Sequence, residues 1–227
     1  MGGRGQMDQI QFQDRRAAGR ALARKVARYR ALPGLLVLAL PRGGVPVAFE
    51  VARELGAPLD IFLVRKLGVP GHEELAMGAI ATGGVRVLNP EVVAGLRIPE
   101  PVIHAAAMRE TEELQRRERE YRGHAPPPDL QDRTVILVDD GLATGSTMRA
   151  AVQAVRAQSP RRIIVAVPVG AESTCAALAR EADEVVCAAT PEPFLAVGYW
   201  YQEFMQTTDE EVRHLLAVSR EPQRLAA

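Results

Sequence analysis

Asp139 and Asp140 stand between an apolar run and a loop of small, hydroxyl-bearing residues, in the segment VILVDDGLATGST at residues 135–147. An ionised Asp only accepts hydrogen bonds, so a carboxylate pair seeks donors, and the vicinal hydroxyls of a ribose supply two. Between positions 141 and 147 the loop carries two glycines with Thr144, Ser146 and Thr147, then leads into an alanine-rich stretch of helical character at 148–158. Such a loop aims backbone N–H groups and the positive end of a helix dipole at one point, which is how proteins hold phosphate. Carboxylates for a diol beside amides for a phosphate make a phosphosugar site. A solvated Asp-Asp turn ahead of an ordinary helix cap is the plainer explanation, and the length and order of the run weigh against it.

The segment resembles the signature of the type I phosphoribosyltransferases, in which two apolar-flanked acidic residues precede a Thr-Gly-Ser/Thr-Thr loop; every position of that signature is filled. The resemblance implies that Asp139 and Asp140 bind the ribose 2′- and 3′-hydroxyls of phosphoribosyl pyrophosphate. Ala143, Thr144, Gly145, Ser146 and Thr147 would then cradle its 5′-phosphate.

These residues need a strand that ends at the carboxylates and a helix that starts at the loop. Val135, Ile136, Leu137 and Val138 read as a strand covered on both faces of a parallel sheet, and open α/β sheets bind ligands at the carboxyl ends of their strands. A buried strand at 35–40, a helix at 45–55 and a second strand at 59–66 form a βαβ unit. Thr82-Gly83-Gly84 predicts a hairpin between 76–81 and 85–88, and the polar stretch 67–74 before it has the place of a mobile lid. A helix at 101–122 interleaves Glu and Arg in the manner of a solvated face, and the prolines at 126–128 mark a stiff surface loop. Strands at 162–168 and 184–187 flank a helix at 173–180. A helix at 14–30 sets Leu22, Val26 and Tyr29 against a row of arginines that reads as solvated. The fold expected is doubly wound α/β, with a mostly parallel sheet and flanking helices. It forms a single domain over 1–227, with a disordered tip at 1–9, a lid and hairpin at 67–88 and a hood at 191–207.

Composition narrows the function further. The chain has 227 residues, 47% of them hydrophobic and 25% charged, with zero formal net charge, which gives no bulk attraction to nucleic acid. The longest apolar run, 35–40, is too short to span a bilayer. The segment MGGRGQMDQ has no apolar stretch for a secretory signal, so a cytoplasmic protein is expected. Cys175 and Cys187 lack metal-ligand spacing and read as small buried residues with reduced thiols, not as a structural disulfide.

Phosphoribosyl transfer requires a second anion site, for pyrophosphate. Pro41-Arg42-Gly43-Gly44 ends another predicted strand, and the two glycines can take backbone angles closed to other residues and aim N–H groups at one anion. The tetrapeptide resembles the family's pyrophosphate loop, with Arg42 adding a charge-assisted contact. Arg65 and Lys66, at the end of the next strand, are further candidates, with solvated strand-end cations as the alternative. In the lid, Glu73 or Glu74 could serve the acceptor as acid or base, as could His72, although ordinary loop charges explain them as well. The segment from Phe194 to Phe204 resembles the hood of purine phosphoribosyltransferases, and Tyr199 and Trp200 are its candidate stacking faces, with core packing the alternative. Ala143 stands where 6-oxopurine enzymes carry an acidic residue, and their base-reading Lys and Asp are absent from this chain, with Pro193 and Gln202 near those places. Guanine and hypoxanthine are therefore disfavoured.

The resemblance thus implies a Mg²⁺-dependent transferase, the ion held mainly through substrate and waters rather than by direct protein ligands. It would act on phosphoribosyl pyrophosphate and a nucleobase-like nitrogen acceptor, without nucleic acid or membrane, on a fold that commonly pairs as a homodimer. The alternative is a regulator that senses phosphoribosyl pyrophosphate or a nucleotide without turnover. An unrelated phosphosugar mutase or phosphatase is disfavoured, because no nucleophile motif accompanies the loop.

Overall fold

A computed structural model of the chain describes residues 11–221, without the side chains of Glu73 and Glu74; the tip expected to be disordered lies outside that description up to residue 10. Helix α1 (Arg15–Lys25) is capped by the Asp14 carboxylate, which accepts from the Ala17 N–H. A 3₁₀ turn, Ala27–Tyr29, ends the stretch read as one helix. Strand β1 (Leu35–Ala39), helix α2 (Gly44–Leu55) and strand β2 (Leu59–Ile61) follow, and Gly56 stops α2 at a φ of 62°. Next come β3 (Val64–Val69), β4 (His72–Ala81), β5 (Val85–Leu88), α3 (Pro90–Gly95) and the long α4 (Glu100–Arg122). The second half alternates: β6 (Thr134–Val138), α5 (Ser146–Arg156), β7 (Arg162–Val169), α6 (Glu172–Leu178), β8 (Glu184–Ala189) and finally α7 (Asp209–Arg220).

The central sheet runs β2-β1-β6-β7-β8, and every neighbouring pair is parallel. Alternation along the strands decides what covers each face. Val37, Ala39, Ile136, Val138, Ile164 and Ala166 pack with α1, α2, α4 and α7. Leu36, Leu38, Val135, Leu137, Ile163 and Val165 pack with α5 and with Leu178 of α6. The doubly wound α/β arrangement follows, and the register Ala39↔Val138↔Ala166 brings the carboxyl ends of β1, β6 and β7 level.

The strand read over 59–66 is two strands. After Ile61 the chain crosses to a separate antiparallel sheet, β3-β4-β5. Buried Thr82 makes the crossing: its Oγ1 accepts from the Leu63 N–H at 2.9 Å and its N–H donates to the Leu63 carbonyl at 2.9 Å. Ile61, Phe62 and Leu63 are buried in one unbroken run, so apolar pattern alone could not place the break. The hairpin around residues 82–84 forms as expected. By contrast, the stretch read as a lid loop is a second hairpin, in which β3 and β4 pair from Val64↔Ala81 to Val69↔His72.

Two further findings correct the sequence reading. The charged helix α4 is solvated along much of its length, yet Arg122 is 4% exposed, where it pairs with Asp60 and Glu118 and donates to the Ile61 carbonyl. A buried cation needs such partners. Cys175 and Cys187, expected as separate thiols, are joined in a disulfide and are only half-buried. The β7–α6–β8 crossover folds the helix back over the strand, and a separation of 12 residues along the chain carries no trace of that contact.

Candidate functional site

Because β1 and β6 are neighbours, the loops that leave them meet. Asp139 and Asp140 follow β6, and the turn 41–43, which contains a cis Pro41–Arg42 peptide, follows β1. A Cβ placed on Gly43 would lie 2.0 Å from Asp140 Oδ2, and one on Gly44 would lie 2.7 Å from the Val138 carbonyl oxygen. Gly43 has φ −60° and ψ −32°, ordinary helical angles. These glycines are therefore needed for close approach, and not for the unusual backbone angles the sequence suggested.

The carboxylate pair is braced from several directions. The Asp140 N–H donates to Asp139 Oδ1 at 2.8 Å. Arg15 Nε donates to Asp140 Oδ2 at 2.8 Å, and Tyr201 OH donates to the Asp140 carbonyl at 2.5 Å. Burial, and then the Asp140 charge, hold the Asp139 carboxyl well above the ordinary carboxylate range, while Arg15 opposes the rise. Burial and Asp140 likewise push the Tyr201 phenol up, which keeps it a neutral donor.

Beyond Asp140 the loop is stitched to the next strand. Leu142 donates to Val169 at 2.9 Å, Ala171 donates to Leu142 at 2.9 Å, and Thr174 Oγ1 donates to the Ala143 carbonyl at 2.7 Å. Gly145, at φ 70°, turns the chain into α5 and supplies no side-chain cap. The first-turn amides of that helix are left without their usual partner. Ala143, Thr144 and Thr147 are exposed, Gly145 and Ser146 half-exposed, and Thr144 Oγ1 lies 3.4 Å from Ser146 Oγ. Uncapped amides and open hydroxyls beside a carboxylate pair can accept an anion and a diol together.

The other sequence candidates are distributed unevenly. Arg42 faces α7, with Nη1 3.5 Å from Asp209 Oδ2. Arg65 pairs with Glu110 of α4 at 2.7 Å. Lys66, pointing the opposite way on β3, lines a cavity of about 380 Å³ together with Ser146 and Arg149. Glu73 and Glu74 lie on β4, and the exposed His72 pairs with Val69 across the hairpin. Tyr199 is 67% exposed, whereas Trp200 is half-buried and stacks on Phe194 with ring centroids 6.4 Å apart. Phe194, with Glu172, Ser173 and Glu192, lines a cavity of about 760 Å³ beside the Leu142–Ala171 junction.

Several residues of the site escaped the sequence reading. Arg15 belongs to an arginine row that gives no local sign of a partner 125 residues away. Tyr201 sits among other aromatics, and only folding distinguishes it. Helix α7, which supplies Asp209, was legible in principle: Thr208 Oγ1 accepts from the Glu211 N–H, and Thr-x-x-Glu is the sequence sign of a helix start.

The chain has relatives among known sequences and structures. Over 201 residues, 88% of its length, the chain is 49% identical to a Mycobacterium tuberculosis protein described as a "putative phosphoribosyl transferase". It covers 45% of that protein, so the chain spans about half the length of the curated relatives it matches. It is also 35% identical over 136 residues to the bifunctional protein PyrR of Chloroflexus aurantiacus, covering 56% of this chain and 65% of that one. The crystal structure of TT1426 from Thermus thermophilus superposes with a TM-score of 0.81 at 44% identity, covering 91% of this chain and 97% of that one. Residues 8–193 match the phosphoribosyl transferase domain, a span that holds both glycine-lined loops and the carboxylate pair, and the chain belongs to that family.

Proposed function

We propose that the chain binds phosphoribosyl pyrophosphate and transfers its phosphoribosyl group to a nitrogen acceptor of nucleobase type, releasing pyrophosphate. One observation carries this reading: Asp139 and Asp140 are seated against bare glycine backbone beside the uncapped amino end of α5. The carboxylates orient the ribose hydroxyls and favour the positive charge that develops at C1. The amides and hydroxyls of 143–147 hold the 5′-phosphate. The backbone of Gly43 and Gly44, with Lys66 and Arg42, faces the diphosphate, Arg42 after leaving Asp209; Arg65 is the reserve cation on the same hairpin. The acceptor nitrogen forms its bond to C1 as the C1–oxygen bond breaks, and that electron pair leaves with pyrophosphate. Glu73 or Glu74 takes up the acceptor's proton. The hood, with Trp200, Tyr199 and Phe194, supplies the stacking faces, and preorganised electrostatics supply most of the rate.

The residues fit Mg²⁺, because the two carboxylates at the sugar site are hard oxygen donors of the kind this ion takes. Asp139 and Asp140 would face the ion through the bound donor and waters. When bound, it would neutralise the diphosphate as that group departs. No described helix is long and apolar enough to cross a membrane.

A second reading, a sensor without turnover, draws on the ion pairs that Asp209 and Glu110 make with Arg42 and Arg65. Calorimetric titration of phosphoribosyl pyrophosphate with Mg²⁺, followed by a pyrophosphate-release screen over nucleobases, separates the two. Binding with release for one base establishes transfer and names the acceptor. Binding without release for every base favours the sensor, and absence of binding overturns both.

A further inference from the structure

We infer that Arg15 is a positioning residue that ties the hood to the ribose-side carboxylate, so that Asp140 keeps its binding geometry only while the hood is docked. The inference rests on the reading of Asp140 as a ribose ligand. Arg15 opens α1, in a first turn that contains no acidic residue. A cation there opposes the helix dipole, so helix stability does not explain its place. Its contacts do. The guanidinium donates to Asp140 Oδ2 through Nε and to the Met205 carbonyl through Nη1 at 2.6 Å, while its face covers the Phe204 ring at 4.0 Å. Only a planar fork can bond two acceptors and stack at once.

The same contact closes a longer seam. Residues 12–13 lie along the hood like an added strand: Phe12 donates to Trp200 at 2.8 Å, Gln202 to Phe12 at 2.9 Å and Glu203 to Gln13 at 2.9 Å. Asp14 then caps α1 and fixes where Arg15 starts. The arm, the hood and Asp140 therefore form one connected unit, with the Arg15 and Asp140 side chains only 12% and 16% exposed. Arg15 takes Oδ2 and leaves Oδ1 to a hydroxyl. Removing the fork would free the carboxylate to swing and would unpin the hood in the same step.

A double-mutant cycle on the full chain tests this. Calorimetric titration of phosphoribosyl pyrophosphate with Mg²⁺ is carried out on the wild type, Arg15→Gln, Asp140→Asn and the double variant, with Arg15→Lys as the conservative change. Loss of the fork should weaken binding roughly tenfold or more alone and cost almost nothing further in the Asp140→Asn background, and Arg15→Lys should recover part of the loss. Additive losses, or an Arg15→Gln affinity equal to wild type, would overturn the proposal. Should Arg15→Gln fail to fold, the Arg15→Lys cycle decides by the same criterion. Amide hydrogen exchange without ligand gives an independent reading. Faster exchange at 200–205 in the Arg15 variants supports the tie, and unchanged exchange there defeats it. A wild type that binds no donor would fell the transferase reading, and the tie would then stand or fall on the exchange result alone.

Discussion

The two sides of the site are built by opposite means. The proposed sugar side, 139–147 with 41–44, is built from main chain: Gly43 pressed on the Asp140 carboxylate and Gly44 on the end of β6, neither with room for a Cβ, an uncapped helix end and two carboxylates fixed by their place at a strand terminus. The hood side is an assembly of side chains from distant segments, in which Phe12, Arg15, Phe194, Trp200, Tyr201 and Phe204 meet across about 190 residues of sequence. A backbone-made site must be contiguous and hence appears as a motif, whereas a site made of side chains is specified by the fold and leaves little local trace.

Substitutions should separate the two sides. The largest effect is expected of Gly43→Ala. Its Cβ would evict the Asp140 carboxylate, and charge-assisted hydrogen bonds of the kind lost contribute about 1.5–3 kcal/mol, so donor affinity should fall roughly tenfold to hundredfold with the fold intact. Calorimetry measures it, and an unchanged dissociation constant would break the contrast. On the other side, Phe194→Ala should raise the acceptor KM by up to about tenfold, given stacking worth about 1–3 kcal/mol per base, and leave donor binding alone. The same change at Tyr199, which is open to solvent, should do much less.

Tyr201→Phe joins the two sides. It removes one hydrogen bond to the Asp140 carbonyl and should cost about 1 kcal/mol in denaturant unfolding, with little change in donor affinity. The smallest effect concerns Asp139. Its carboxyl holds a proton more tightly when folded than when unfolded, so stability should fall as pH rises from about 3.8 through the raised folded value, above which the penalty is complete. Asp139→Asn should be slightly more stable at neutral pH and lose that slope, while binding donor more weakly. A Tm series over pH shows it, and a wild type as flat as the variant would contradict the cause given for the shift.

The legibility of the sequence follows the same division. Strands β1, β6 and β7, helices α2, α4 and α5, and both glycine-lined loops are readable because burial on two faces and small-residue loops leave local patterns. The break between β2 and β3 is not, since an apolar run crosses it from Ile61 to Val64 and the turn depends on Thr82, about twenty residues later. Nothing in the local sequence sets Arg15 apart from the surface arginines, and only its contact with Asp140 does. Cys175 and Cys187 meet only because a crossover helix doubles back.

The seam between Gly43, Gly44 and the carboxylates also constrains how the protein can change over generations. Every replacement of either glycine adds at least one carbon, which at Gly43 must displace the Asp140 carboxylate and at Gly44 meets the Val138 carbonyl oxygen 2.7 Å away. Variation at the sugar side is therefore closed at its first step, whereas the hood, drawn by separate side chains on its rim, can be altered one residue at a time. A lineage founded on this chain therefore has more room to change the hood than the seat of its carboxylates.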